Sequence, residues 1–324
     1  MKILITGVAG FIGSNLAERL LREGHEVVGI DNLAYGLRTN IPDGVDFHQM
    51  DIRGKEMYPL FADIDAVFHF AAKNCIADCQ ADPVETADIN VHGSVNVFEA
   101  ARKANVRKII YAESSALYEG TNIFPTPESE VKPESFYAVS KLASMYFAEA
   151  YHRFHGSSAT HQPSAMSHQP IHFTALRYFC VYGPVQDYRR NISPVISAFI
   201  IRLLRGKAPI IYGSGEKRRD FVYVDDINDF HIQCLTDRRT DNRVFNLGSG
   251  VNFSVNDIHE MVGNLLDIHI APVRKSDLPG EAQTTLADIT AAGSLGWEPK
   301  TDIQAGLQHA IAYIKSEMVK GNVG

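Results

Sequence analysis

The segment KILITGVAGFIGSNL, at positions 2–16, restricts the fold more than any other stretch of the chain. A short β-branched run is stopped by a glycine. Gly7, Gly10 and Gly13 follow at spacing GxxGxxG, and helical periodicity begins at once in SNLAERLLREG. Glycines between a strand and a helix make a turn whose backbone N–H groups and helix N-terminus can approach a pyrophosphate closely. The next strand, EVVGID, ends on Asp31, eighteen residues after Gly13. A carboxylate there accepts hydrogen bonds from adenosine ribose hydroxyls and repels the extra phosphate of NADP, so the pattern selects NAD.

The alternation continues. AVFHFAA (66–72), KIIYAES (108–114) and FTALRYF (173–179) read as strands, with helical stretches at 88–104 and 143–154 between them. Strands alternating with helices predict a doubly wound α/β fold, a parallel sheet covered on both faces. Past about residue 180 the rhythm breaks into Pro- and Gly-rich segments, although DFVYVDDI (220–227) and RVFNLGSG (243–250) still read as strand material. This predicts a dinucleotide-binding domain from 1–179 plus about 220–250. A smaller substrate domain is predicted from about 180–219 plus 251–324. The segment 156–170 is polar, holds two prolines and lacks an apolar period. It reads as a loop insertion, and His155, His161 and His168 fit no metal-ligand spacing.

Composition narrows the functional classes. The chain has 324 residues, 45% of them hydrophobic and 21% charged, and a net charge of -7. No basic surplus is available to neutralise nucleic-acid phosphates. No apolar run approaches membrane-spanning length, and the N-terminus runs straight into structured sequence with no cleavage pattern. Cys75, Cys79, Cys180 and Cys234 lack metal-site spacing, so reduced thiols and a cytoplasmic setting are expected.

A second constellation lies in SFYAVSKLASMYF (135–147), where Tyr137 and Lys141 are four apart on a predicted helix and share one face. Alone, such a pair fits an ordinary surface helix. Beside a dinucleotide site it suggests a proton acceptor and the cation that activates it. Taken with TGVAGFIGSNL, GIDNL, VFHFAA, INVHGSVNVFEAAR, FYAVSK, LRYFCVYGP, RDFVYVDDI, FNLGSG and LGWEPK, the chain resembles the extended short-chain dehydrogenase/reductases. Within them it is similar to the nucleotide-sugar epimerase branch. The resemblance runs from end to end.

The resemblance implies several roles. Phe11 and Ile12 line the pyrophosphate turn, and Asn32 accompanies Asp31. Asp51 and Ile52 bracket the adenine, Phe70, Ala71 and Ala72 lie along the cofactor, and Asn90 and Tyr178 contact it. It also places the third catalytic group four residues before Tyr118, at Ser114. Free tyrosine ionises near pH 10, and a nearby Lys⁺ together with the positive nicotinamide ring favours the phenolate. Dehydrating relatives carry an acidic residue just after the catalytic hydroxyl. Here Ser115, Ala116 and Leu117 follow, which points to epimerisation through a transient 4-keto sugar. On the substrate side the resemblance implies Ser115, Cys180, Arg219 and Glu281, with Thr285 as the wall of the sugar pocket. Threonine is small, so UDP-N-acetylglucosamine and UDP-N-acetylgalactosamine are the expected pair, with UDP-glucose and UDP-galactose second. A UDP-glucuronate 4-epimerase, a nucleotide-sugar reductase and a non-catalytic NAD-binding sensor are the alternatives.

Three departures from the family pattern stand out. Cys180 replaces the usual asparagine. Glu119 intervenes before Gly120. Leu278 occupies the position of a second phosphate-binding arginine, with Arg274 as the available substitute. No metal is expected, and the family's habit of pairing the helices near 88–104 and 137–154 implies a homodimer.

Overall fold

The computed structural model describes residues 1–155, 170–189, 193–277 and 282–323. Among these, the strands are β1 (Lys2–Thr6), β2 (Glu26–Asp31), β3 (Asp46–Gln49), β4 (Ala66–His69), β5 (Lys108–Ser114), β6 (His172–Tyr178), β7 (Cys180–Tyr182), β8 (Ile210–Tyr212), β9 (Arg218–Tyr223), β10 (Arg243–Leu247), β11 (Asn252–Ser254) and β12 (Val273–Lys275). The helices are α1 (Phe11–Arg22), α2 (Ile76–Ala81), α3 (Pro83–Ala87), α4 (Gly93–Lys103), α5 (Phe136–His155), α6 (Val195–Leu204), α7 (Val224–Thr236), α8 (Val255–Leu266), α9 (Thr290–Gly293) and α10 (Ile303–Val319).

The chain divides into two compact units. The first comprises Met1–Gly120, Val131–Arg177 and Asn228–Phe245, and the second Thr121–Glu130, Tyr178–Ile227 and Asn246–Gly324. Residues 121–130, 220–227 and 246–250 therefore group with the second unit, whereas the sequence reading put them with the nucleotide-binding half.

A seven-stranded sheet runs in the order β10-β6-β5-β4-β1-β2-β3. The pairs β1–β2, β1–β4, β2–β3 and β4–β5 are parallel. Leu4 stands opposite both Val28 and Val67, and Val67 opposite Ile109. This row packs into a core with Phe61, Phe98 and Phe173. Buried on both faces, these strands are continuous apolar runs rather than alternating ones, as the sequence pattern demanded. The strand order reverses between β1 and β4, so a crevice forms outside their carboxyl ends. Gly7, Asp31, Phe70 and Ser114 all lie at those carboxyl ends.

The second unit holds a three-stranded sheet, β11-β9-β7, and a two-stranded one, β12-β8. This corrects two expectations. The strand in DFVYVDDI belongs to this small sheet, parallel to β7 and antiparallel to β11. It also ends at Tyr223, because Asp225 and Asp226 sit in the first turn of α7, where carboxylates complement the helix dipole.

Candidate active site

The glycine turn is built by close approach of backbone. Gly7 has φ +78, and a Cβ there would lie 2.8 Å from the Ala71 nitrogen. A Cβ on Gly13 would lie 2.3 Å from the Gly7 carbonyl oxygen. The turn is tied to the second strand, since Gly7 N donates to Ile30 O at 2.8 Å. Gly10 is the N-cap of α1 and makes no side-chain cap, and the first helical turn carries no acid. Uncapped N–H groups at the positive end of a helix dipole suit a diphosphate. Phe11 and Ile12 begin this helix.

Asp31 is nearly buried, at 9% exposure. Its Oδ2 accepts from Ala9 N at 3.0 Å and its Oδ1 from Leu33 N at 2.8 Å. Burial pushes its carboxyl up, while the two backbone donors oppose that. Each oxygen keeps a lone pair, so the group that organises the turn can also accept from ribose hydroxyls. Asn32 donates to Asp51 Oδ2 at 3.0 Å. Arg53 grips Asp51 at 2.8 and 2.7 Å and holds its carboxyl well below the usual range. Ile52 is buried between them. These groups frame one end of a dinucleotide groove, and the fit to NAD is good at the turn, the acid and the helix end.

The Tyr–Lys helix, α5, is fixed by unusual features. One turn at Asp88–His92 is of the wide π type, a form often found at functional sites. Within it the Asn90 carbonyl accepts from Ser94 Oγ at 2.5 Å and from Ser144 Oγ at 3.0 Å. The Asn90 amide accepts from Lys73 N at 2.8 Å, donates to Lys73 O at 2.9 Å, and donates to Ser140 Oγ at 2.9 Å. Asn90 thus pins α5 on either side of Lys141 and fixes the chain just after Phe70, Ala71 and Ala72. Glu119 has a role as well. It accepts from Ser135 N at 2.7 Å, Ser135 Oγ at 2.8 Å and Glu134 N at 3.1 Å, holding the chain where α5 begins.

Tyr137 and Lys141 are buried on this helix at 8% and 6% exposure. Lys141 Nζ donates to the Ala112 carbonyl on β5 at 3.0 Å, two residues before Ser114. The strand end and the Tyr–Lys helix are therefore brought together. Burial pushes Lys141 down to about 8, with Glu113 opposing. Ser114 Oγ accepts from Ala116 N at 3.2 Å. His69 is buried behind the site between Thr6 and Ser94, at 2.7 and 2.9 Å, and burial pushes it down to about 3, so it is neutral.

Within the second unit, Cys180 opens β7 opposite Phe221 of β9. Arg219 lies on β9, with Nη1 donating to Arg218 O at 3.0 Å. Thr285 runs beside that strand, its N donating to Arg218 O at 3.1 Å and its Oγ1 accepting from Asp220 N at 3.1 Å. Tyr178 is buried at the end of β6. Arg274, on β12, points its guanidinium at the carbonyls of Gly213 and Ser214 and at Asn256. Glu281 and Leu278 lie outside the described residues, as do His161 and His168.

Three polar residues escaped the sequence reading. Lys73, 3% exposed, follows Ala72 directly and donates to Glu85 at 2.5 Å. A charge straight after an apolar strand end was the available signal. Glu113 and Arg177 form a buried ion pair at 2.7 Å, and their separation in sequence hid it. Among the described residues no cluster could hold a metal ion, and no helix is long and apolar enough to cross a membrane.

A glycine-turn dinucleotide groove, with a Tyr–Lys helix set against a serine-bearing strand end, defines an NAD-dependent enzyme of the short-chain dehydrogenase/reductase type. The chain belongs to the NAD dependent epimerase/dehydratase family, whose model matches residues 3–248. It is 32% identical to the UDP-glucose 4-epimerase of Mycolicibacterium smegmatis, covering 98% of this chain and 99% of that one. Among solved structures it is similar to the UDP-glucose 4-epimerase of Thermotoga maritima in complex with UDP-glucose. That match has a TM-score of 0.91, 33% identity, and coverage of 98% and 100% of the two chains. It is also similar to the UDP-N-acetylglucosamine 4-epimerase of Methanobrevibacter ruminantium, with a TM-score of 0.89, 30% identity, and coverage of 98% and 99%.

Proposed function

We propose that this chain is a UDP-hexose 4-epimerase that keeps NAD bound through turnover. UDP-N-acetylglucosamine and UDP-N-acetylgalactosamine are its favoured pair, with UDP-glucose and UDP-galactose second. The observation that carries this reading is the Lys141 contact to the strand end of Ser114, with Tyr137 one turn away. The residues after Ser114 are Ser115, Ala116 and Leu117, so no carboxylate is at hand there to eliminate water.

NAD⁺, when bound, would supply the acceptor for hydride from sugar carbon 4 and the donor for its return. The Asp31 carboxylate and the glycine turn hold that cofactor at its adenosine and diphosphate ends. Tyr137 takes the proton of the 4-hydroxyl, Ser114 shares it, and Lys141 stabilises the phenolate by its charge. Turning the keto-sugar over before hydride and proton return inverts carbon 4. Arg219 matches the nucleotide diphosphate. The acetamido preference rests on the small Thr285, whose hydroxyl is tied to the Asp220 backbone. The exposed Val139, Tyr146 and Phe147 on α5 support pairing of two copies through that helix.

Purified protein is incubated with UDP-N-acetylglucosamine, UDP-glucose and UDP-glucuronate, and products are resolved from their C-4 epimers by chromatography. Epimerisation without added NAD is the expected result. Net release of NADH would indicate a dehydrogenase or reductase instead. NAD retained with no turnover of any sugar would favour a sensor.

A further inference from the structure

The strand that carries Ser114 also carries an acid for which the reading above has no use. Glu113 and Arg177 are 2% and 1% exposed. Arg177 Nε donates to Glu113 Oε2 at 2.7 Å, and its Nη1 donates to the Tyr118 hydroxyl at 2.9 Å. The Tyr111 hydroxyl donates to Glu113 Oε1 at 3.3 Å. One residue before Glu113 is Ala112, whose carbonyl receives Lys141 Nζ at 3.0 Å. A buried ion pair is weak evidence of a stabilising role, because apolar residues of similar volume often do as well. This pair, placed behind the cation of the site, calls for another reason.

We propose that Glu113 is a positioning residue for the Tyr137–Lys141 site, its carboxylate fixed by Arg177 and Tyr111 as the countercharge that keeps the buried Lys141 an ammonium. This rests on the roles given above to Tyr137 and Lys141. The titratable groups around Lys141 are Glu113 on β5, Cys79 on α2, His69 on β4, and Tyr137 on α5 itself. Burial holds His69 neutral and raises the Cys79 thiol, so neither supplies negative charge near neutral pH. Glu113 is the larger of the two influences that oppose the burial of Lys141. Burial also raises Glu113, and Arg177 is the first influence that counters it. The charges form a series: the Arg177 guanidinium favours the charged form of Glu113, and the Glu113 carboxylate favours the charged form of Lys141.

Glu113→Gln keeps the shape and removes the charge. Because it strands Arg177, it is paired with Glu113→Gln/Arg177→Met, which removes both buried charges, and with Glu113→Asp, which retains the negative one. Ionisation of Lys141 is followed by NMR on protein carrying ¹³C-lysine, with Lys141→Met assigning the resonance. In the two neutralised variants the Lys141 midpoint falls by about one pH unit, and the alkaline limb of turnover moves down with it. Glu113→Asp stays close to wild type. A folded neutralised variant with an unmoved Lys141 midpoint overturns the proposal. Should neither neutralised variant fold, a shift in Glu113→Asp as large as that expected of neutralisation, despite the retained charge, would also overturn it. The NMR measurement needs no turnover, so a chain that epimerises nothing would sink the proposed function while leaving this test intact.

Discussion

Asp31→Ala removes two things at once, and the structure separates them. Within the protein, the carboxylate accepts from Ala9 N at 3.0 Å and from Leu33 N at 2.8 Å. Ala9 is fully buried, so its N–H cannot find water once the acid is gone. A stranded donor of that kind costs about 1–3 kcal/mol, and relief of burying a carboxylate returns part of it. The net loss is roughly 1–2 kcal/mol, or a fall in melting temperature of about 1.5–3 °C for a chain of 324 residues. On the ligand side, losing charged hydrogen bonds to the ribose weakens NAD by about 1.5–3 kcal/mol, which is roughly 10- to 100-fold in Kd. NADP loses no such contact and escapes a repulsion, so the preference for NAD narrows or inverts. Calorimetric titration with each dinucleotide, beside a thermal melt, reads both effects. Asp31→Asn keeps one acceptor for the turn and falls between the two. If Asp31→Ala melts as wild type does and keeps its NAD-to-NADP ratio, the acid neither organises the turn nor meets the ribose.

Tyr137→Phe is expected to abolish epimerisation and leave NAD bound, because the ring still packs and no proton acceptor remains. Near-normal turnover would remove Tyr137 from its role. Gly13→Ala places a methyl 2.3 Å from the Gly7 carbonyl oxygen, and only backbone movement can relieve it. A loss of roughly 1–3 kcal/mol in stability is expected, with weaker NAD binding by titration. Activity is expected to fall as pH rises through about 8, where the buried Lys141 loses its proton and the phenolate loses its stabilising charge. A rate that stays flat from pH 7 to 10 would contradict that assignment. Thr285→Tyr should lower the ratio of acetylated to plain sugar turnover. The accompanying loss of the Asp220 contact acts on both substrates, and an unchanged ratio would show that Thr285 is not the wall.

The parts of the site that were legible in sequence are local. The glycine turn, Asp31 and the Tyr–Lys pair each act within one supersecondary unit, so spacing alone specifies their geometry. The resemblance then supplied Ser114, and the structure puts its strand end against Lys141. What was not legible depends on side chains meeting across the sheet. Glu113 and Arg177 lie 64 positions apart, and nothing near either predicts the other. Asn90 was expected to face the cofactor. Its side chain is bonded to Lys73 and Ser140, partners 17 and 50 positions away that nothing near Asn90 in sequence announces.

The late motifs show why resemblance located more than it explained. RDFVYVDDI, FNLGSG and LGWEPK help carry the family resemblance, and two of their acids are spent on the protein's own backbone. Asp220 is fully buried and accepts from Ser249 N, Gly250 N and Ala287 N at 2.6, 3.1 and 3.0 Å. Asp226 accepts from Thr301 N and Thr301 Oγ1, and its carbonyl receives the Trp297 indole. A carboxylate ringed by amides fixes the paths of separate segments together, because each lost bond would strand a buried polar group. On β9 Asp220 faces this network, and its neighbour Arg219 donates from Nη1 to the Arg218 carbonyl at 3.0 Å. The acid holds the strand that carries the arginine. On the role proposed for Arg219, substituting Asp220 is expected to loosen β9 and raise the KM for substrate, which steady-state kinetics would read.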